Sequence, residues 1–458
     1  MILRFALRSL LAHPVRTAVL AGGFGLGVAV MAALLGVGSA ILEQARAPAL
    51  VGGGDVIVGS ATGSIPSPRV VLSTVFDSGA LGARVAAAAP RSRRMLYLVD
   101  DRGATPIRAT GGIPTRDRML GDRETRQVDS WTDTPSDRAW ASPAPGDLVR
   151  TMDAFHPIPD VPARAASWAE WLYFNGRAGG ARFYLAFMAG PRVSPGRRSL
   201  AVSLQLERDG RMTRFADTFD VDEHALLAAA PDLTAGTNTV RLTGTEYHIA
   251  IDLPSRSGRG RATGEMVVHA TPGRSLPPFE MRGAGGWISG YVVPVMAGNV
   301  DGKLRVGGET IDLTGGAAYH DHNWGFWEGV SWQWGQVQGP RQSFVYGRVF
   351  PPADAGDTAR APGFLLALGA DGVQGYATDV TIDETNDPAT GRPRRIVVRG
   401  RSDSLALTLD VAVAQTEVTP MRGMDFVQMR GSCDVTGRTA AGDVRFSAPA
   451  SAETFRGK

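Results

Sequence analysis

From Ser167 onward, apolar and polar residues alternate in short runs broken by Gly, Asp and Asn. This is the period-two pattern of half-buried strands. Leu200–Leu206 alternates, Asp209-Gly210 offers a turn, and Arg211–Phe219 returns. Both central residues of a type I′ turn take positive φ, which Asp-Gly and Asn-Gly tolerate. The same reasoning predicts turns at Asn175-Gly176, Asp301-Gly302, Gly307-Gly308 and Asp371-Gly372. It also pairs Thr239–Leu242 with Tyr247–Leu253 around Thr243-Gly244. Ile396–Val398, Leu405–Val413 and Phe426–Met429 continue the series, and one short helix is expected over Glu223–Ala230. Strands this frequent, without long helices between them, point to sandwiches or up-and-down barrels. Barrels remove exposed strand edges by closing, and the supply of strands suits two of them.

The N-terminus reads differently. Ala18–Leu42 is 25 residues without a charge, long enough to cross a hydrocarbon core of roughly 30 Å as a helix. Arg4, Arg8 and Arg16 precede it, so the positive-inside bias places the short arm in the cytoplasm and the bulk of the chain outside. A cleaved signal peptide is the competing reading, through the small-x-small Ala45-Arg46-Ala47, but the apolar run exceeds the 7–15 residues usual for one. Gly23 and Gly27 stand at GxxxG spacing, which lets a second helix approach closely. Between residues 43 and 140 the pattern is weak. Val70-Val71-Leu72 and Met95–Val99 read as short strands, and Arg116–Arg138 reads as a linker.

Composition narrows the function class. Hydrophobic content of 43% and charged content of 20% suit a globular protein. The formal charge is only +3 and the basic residues are dispersed among acids, so nucleic acid is not an expected partner. The single Cys433 excludes an intrachain disulfide and any multi-cysteine metal site.

The densest chemistry is Tyr319-His320-Asp321-His322-Asn323-Trp324-Gly325-Phe326-Trp327. In an extended segment Tyr319, Asp321 and Asn323 share one face, and His320, His322 and Trp324 the other. Three readings compete. The two histidines could bind a metal, with Glu328, His269 or His248 as the third ligand. Asp321 could be a carboxylic acid in an aromatic pocket, its pKa raised by burial, delivering a proton beside Tyr319. Or the polar side chains form a latch that satisfies buried groups where two lobes meet. On residue types alone the latch leads, and no metal or other cofactor is assigned. Trp332 and Trp334 alternate on one strand face and read as barrel filling, with Gln333, Gln336 and Gln338 beside them. Trp168 and Trp171 read as core aromatics. Glu170 between them needs a partner if buried, an arginine or His320.

At this motif Gly-x-x-Tyr-His-Asp-His-Asn-Trp-Gly resembles the signature of the carotenoid 1,2-hydratase and AttH-like family. Glu170-Trp171-Leu172-Tyr173-Phe174-Asn175-Gly176 resembles that family's Glu-Trp-Trp-Tyr-Phe stretch, and the likeness runs from about Phe155 to the C-terminus. It implies two lipocalin-like β-barrels with an apolar pocket in or between them. Members include hydratases of isoprenoid chains, fungal phytoalexin hydratases and pericyclase-like enzymes, and AttH-like proteins found with lipoprotein-type ABC exporters. Carried over, Tyr319 and Asp321 match the residues implicated in proton delivery. The hydratases' upstream His-x-Trp pair has no counterpart, since Tyr291-Val292-Val293 stands there. Leu3-Arg4-Phe5-Ala6-Leu7-Arg8-Ser9-Leu10 through Gly54-Asp55-Val56-Ile57-Val58 is similar to the start of lipoprotein-exporting ABC transporter permeases.

The expected plan is therefore mainly β: a cytoplasmic arm (1–16), a transmembrane helix (17–42), a linker or permease-like remnant (43–140), and two lipocalin-like antiparallel β-barrels (141–325 and 326–458). The expected role is to bind a hydrophobic lipid or isoprenoid outside a bacterial inner membrane beside ABC transporter subunits. The alternative is a hydratase, isomerase or cyclase with Asp321 as acid and Tyr319 as its partner. The expected pocket comprises His320, His322, Asn323, Trp324, Trp327, Trp332, Trp334, Tyr291, Trp171 and Glu170.

Overall fold

The structure, a computed structural model, describes residues 67–77 and 82–457, with short gaps at 102, 123–124, 126–127, 129, 259, 272, 371 and 422–423, and scattered positions before residue 66. Most of the expected membrane helix lies outside the described residues. Among those described, no helix is long and apolar enough to cross a membrane. The chain divides into two compact units, residues 1–65 with 85–141, and residues 66–84 with 142–458.

Within the smaller unit, Ser92–Asp100 pairs with Gly103–Gly111 as an antiparallel hairpin. Met95–Val99 is thus a strand, as its apolar run suggests. The stretch expected as a linker instead holds helical turns at Pro114–Met119 and Pro135–Ala141. The guanidinium of Arg91 lies between the buried carboxylates of Asp117 and Asp122, and Arg116 satisfies the carbonyls of Ala88 and Ala141. Polar side chains that bind backbone stop such a segment from behaving as free linker.

The larger unit holds the fold. Twelve strands between Trp168 and Phe326 form one antiparallel sheet, and nine between Ser331 and Gly457 form another. The path of the first sheet runs from Arg211–Asp222 to Leu233–Ala235, and a bridge between Phe215 and Ser255 brings its end regions together. Both sheets curl into nearly closed barrels, so few backbone groups are left on an open edge. The helix Pro68–Asp77 packs Val70 into the core of the first barrel, so Val70-Val71-Leu72 is helical and not a strand. Each barrel is filled by its own apolar core, the first including Leu185, Val202, Val240 and Ile249, the second Leu365, Val398, Leu409 and Val435. A third apolar cluster, with Val293, Met296 and Tyr319 from the first sheet and Trp334, Val345 and Leu366 from the second, joins the two barrels along a seam.

Several turns follow the prediction. Asp209 and Gly210 both take positive φ between paired strands, as do Gly307 and Gly308, and Gly244 turns the hairpin ahead of Tyr247. Two predicted turns are strand interior. Gly176 sits within Trp168–Ala178, where a Cβ would meet the Phe183 ring at 2.7 Å. The glycine is therefore a seat for an aromatic ring, the other common reason for Gly in a strand. Gly302 lies within the long strand Ile288–Val306, and a Cβ there would meet the Glu265 carbonyl at 2.2 Å.

Candidate functional site

The motif lies on the strand Gly316–Phe326, flanked by Trp168–Ala178 on one side and Ile288–Val306 on the other. Register places Asp321 opposite Tyr173, and Asn323 opposite both Trp171 and Tyr291. Strand alternation then sends the two halves of the motif into different compartments. The histidines face into the first barrel, and Tyr319 and Asp321 face the seam.

On the barrel side both ring nitrogens of His320 and of His322 meet an acceptor. His320 contacts the Tyr173 carbonyl through Nδ1 at 3.0 Å and Asp153 through Nε2 at 2.8 Å. His322 contacts Asp153 through Nδ1 at 2.8 Å and Glu170 through Nε2 at 2.9 Å. The Tyr247 hydroxyl donates to Asp153 at 2.9 Å. Asp153, Glu170, His320 and His322 are all fully buried. Burial alone would raise both carboxyl pKa values, but His320 and His322 hold Asp153 well below its ordinary value, and His156 and His322 lower Glu170. Burial would lower His322, and the two carboxylates overcome it and push it up to about 9. Arg198, buried on the carbonyls of Gly190, Ala189 and His156, adds a positive charge near Glu170. A buried carboxylate survives only when paired in this way. The partners of Glu170 are therefore His322 and His156, not an arginine ion pair or His320. Trp324 completes this side, with the His156 ring stacked on it at 4.2 Å and its indole donating to Glu280.

His156, Glu170 and His322 bring three ligating atoms within 4.8 Å of one another, the one such group among the described residues. The same atoms are joined by direct hydrogen bonds, 2.7 Å from His156 Nδ1 to Glu170 and 2.9 Å from His322. A cation there would displace protons from a network that His322 and Arg198 already neutralise. The suggested third ligands lie elsewhere: His269 pairs with Asp301, His248 with Glu246, and Glu328 is exposed.

On the seam side Tyr319, Tyr291 and Asp321 form a triangle. The two hydroxyls are 2.7 Å apart, and they stand 3.0 and 3.3 Å from Asp321 Oδ2. Trp334 donates its indole N–H to the Tyr291 oxygen at 2.8 Å, and Asn323 donates to Asp321 Oδ1 at 3.0 Å. Three contacts share only two hydroxyl protons, so a proton on Asp321 completes the ring. Burial, and then the neighbouring Glu453, push the Asp321 carboxyl well above its ordinary range, which keeps that proton in place. Glu453 comes from the second barrel, opposite Trp334, and accepts from Tyr173 at 2.7 Å and Gln428 at 3.3 Å. Burial raises it to about 7. A buried acid from one barrel and a partly buried acid from the other thus stand close across aromatic rings.

The remaining predicted residues divide between the compartments. Trp332 and Trp334 lie in the seam and do not fill the barrel, because the second barrel's core occupies the opposite face of their strand. Trp171 and Trp327 pack at 4.7 Å, and Trp171 also meets Trp332. Trp168 is buried in the first core. Gln336 donates to Asn175 and Gln338 to the Ala318 carbonyl, beside a small half-open cleft of about 30 Å³ lined by Asn175, Arg177, Arg182, Tyr184, Gln336 and Ser451 among others. That cleft is polar where an apolar pocket was expected, since the aromatics spend their surface on one another. Asp153, His156, Tyr247 and Glu453 did not emerge from the sequence; each is a lone polar residue whose side-chain partners lie from 14 to 280 positions away.

No family model matches the chain, and no curated protein matches it. Among solved structures it is similar to a candidate AttH of Nitrosomonas europaea, at 14% identity and TM-score 0.43, over 62% of this chain and 92% of that one. It is also similar to kievitone hydratase of Nectria haematococca, at 13% identity and TM-score 0.43, over 65% of this chain and 93% of that one.

Proposed function

We propose that this protein transfers a proton to a carbon–carbon double bond of a largely apolar substrate held at the seam, with Asp321 as general acid and Tyr319 and Tyr291 as its hydrogen-bonded relay. One observation carries the reading: a buried carboxyl group joined to two phenols in a closed ring of hydrogen bonds, where burial favours its protonated form. A structural latch has no need of an acid in that state, whereas general-acid catalysis does. The latch role falls to the histidine face of the same strand.

In the step proposed, the acidic proton forms a C–H bond at one alkene carbon, leaving a cation at the other and a carboxylate on Asp321. Water addition or loss of an adjacent proton then quenches the cation, either directly or after a second double bond has attacked it and taken the positive charge onto its own far carbon. The proton released in each case returns to Asp321. Aromatic rings of Trp334, Tyr291 and Phe364 around the acid suit a passing cation. The uncharged run Ala18–Leu42 belongs to the same reading as a tether that keeps the seam near membrane-dissolved substrates, with transporter subunits as neighbours.

The test is incubation of the full chain with farnesol and longer polyprenols in D₂O, followed by mass spectrometry of the recovered chains. Deuterium should enter carbon with native protein and not with Asp321→Asn. Label incorporation that survives that substitution sinks the acid role. Ligand that binds and returns unaltered from both forms replaces the enzyme reading with a carrier.

A further inference from the structure

The mouth of the seam carries an arrangement that the proton-transfer reading leaves unused. Arg177 and Arg182 stand directly opposite one another on neighbouring strands. Like charges in that position destabilise a sheet. Neither has an ion-pair partner among the described residues. Glu207, which register places opposite Arg182, pairs instead with Arg430. Each arginine is only partly exposed, and both line the same cleft. Its floor holds a second irregularity. Asn175 and Gln336, 5% and 6% exposed, are bonded to each other at 2.6 Å, yet Asn175 Nδ2 and Gln336 Oε1 have no partner. Buried polar atoms are rarely left in that state, because an unmet one forfeits its hydration with nothing in return.

We propose that this cleft binds the acidic head group, carboxylate or phosphate, of the substrate whose chain runs along the seam to Asp321. The inference rests on the proton-transfer reading for the fate of the chain, not for the binding of the head. Arg177, Arg182 and Asn175 Nδ2 supply donors to the anion. Gln336 Oε1 accepts from a protonated phosphate oxygen or from a hydroxyl beside a carboxylate. Tyr184 and Ser451 close the cleft next to them.

The strands set the geometry beyond the head. Arg177, Asn175 and Tyr173 are successive same-face positions of one strand, with Ala317, Tyr319 and Asp321 opposite them in the same order. On the facing barrel Gln338, Gln336 and Trp334 step along in parallel ranks, with Glu453 opposite Trp334. At roughly 3.3 Å per residue, the four positions from Arg177 to Tyr173 span about 13 Å. An acid group at the arginines therefore presents a double bond remote from the head to Asp321, and not the adjacent one. The head group also anchors a chain that has only apolar contacts to fix its register.

The test compares farnesyl phosphate, farnesoic acid and farnesol, one chain with three heads, by calorimetric titration of the full chain. Native protein should bind one or both anionic forms about tenfold or more tightly than the alcohol, and the gap should narrow as salt rises. The two anions distinguish a phosphate site from a carboxylate site. Arg177→Gln with Arg182→Gln should erase the preference and leave alcohol binding unchanged. Because it relieves a like-charge pair, this variant should unfold at no lower urea concentration than the native protein. Asn175→Asp, which puts a carboxylate on the floor, should erase the preference as well. Equal affinity for all three heads, or a preference untouched by the double substitution, overturns the inference. Asp321→Asn separates it from the catalytic reading: retained head preference without deuteration by native protein keeps the cleft and removes the acid. Asp321-dependent deuteration with no head preference does the reverse.

Discussion

Asp153→Asn keeps the volume of a fully buried side chain and removes its charge. In the native protein that carboxylate accepts from His320, His322 and Tyr247 at 2.8–2.9 Å. An amide offers one acceptor oxygen, and its NH₂ would face a ring N–H. One imidazole then loses its partner inside the barrel, and breaking a buried pair from one side costs about 3–5 kcal/mol. The pH dependence gives a second, independent handle. With a folded pKa of about 9 against an ordinary 6.5, His322 adds about 3 kcal/mol at about 1.4 kcal/mol per unit. A group raised in the folded state stabilises fully below its unfolded pKa and loses that contribution as pH climbs through the folded one. Native stability should therefore decline between pH 6.5 and 9. Asp153 and Glu170, both lowered, hold their contribution above the ordinary carboxylate range and give it up only in stronger acid. Urea unfolding of native protein and variant at a series of pH values from 6 to 9 reads both effects. The variant should be weaker at pH 6 and its decline shallower, because His322 keeps only Glu170. A loss below about 1 kcal/mol with an unchanged pH slope would refute the argument that this network is charged and stabilising.

Two further perturbations probe the other side of the strand and its support. Glu453→Gln removes the charge that helps hold the Asp321 proton, so the alkaline limb of the pH–rate profile should move to lower pH; a limb that stays or moves up contradicts the coupling. Gly290→Ala should destabilise by about 1–3 kcal/mol, since its Cβ would meet the Trp324 indole at 1.9 Å. Thermal unfolding that matches the native protein would show that the ring can move aside.

Period-two alternation exposed most of the strands after Ser167, because sheet faces impose it locally. It failed at Asn175-Gly176, where the pair that favours a turn serves instead to seat Phe183. It failed too at Val70–Leu72, where a short apolar run is equally suited to a helix packed on the barrel. The two-faced arrangement of Tyr319–Trp324 was legible from spacing alone, but its partners were not. Asp153 lies in the loop after a short helix and Glu453 near the end of the last strand, and nothing near either in sequence marks it as the acid that meets His320 or neighbours Asp321. Long-range pairing in an antiparallel fold puts such partners beyond any local pattern. The Trp332–Trp334 strand showed that one side is aromatic. Which body that side touches depends on how the second barrel docks.

The last consequence concerns divisibility. Tyr319, Asp321 and Tyr291 come from the first barrel, while Trp334 and Glu453 come from the second. Between them the chain crosses at the exposed Glu328-Gly329 turn. Each half has its own hydrophobic core but not the other's wall, so parting them would open the acid to water and remove the burial that raises its pKa. Under the proposed chemistry, reactivity is then a property of the docked pair, and separating the halves would switch it off without altering Asp321 or either tyrosine.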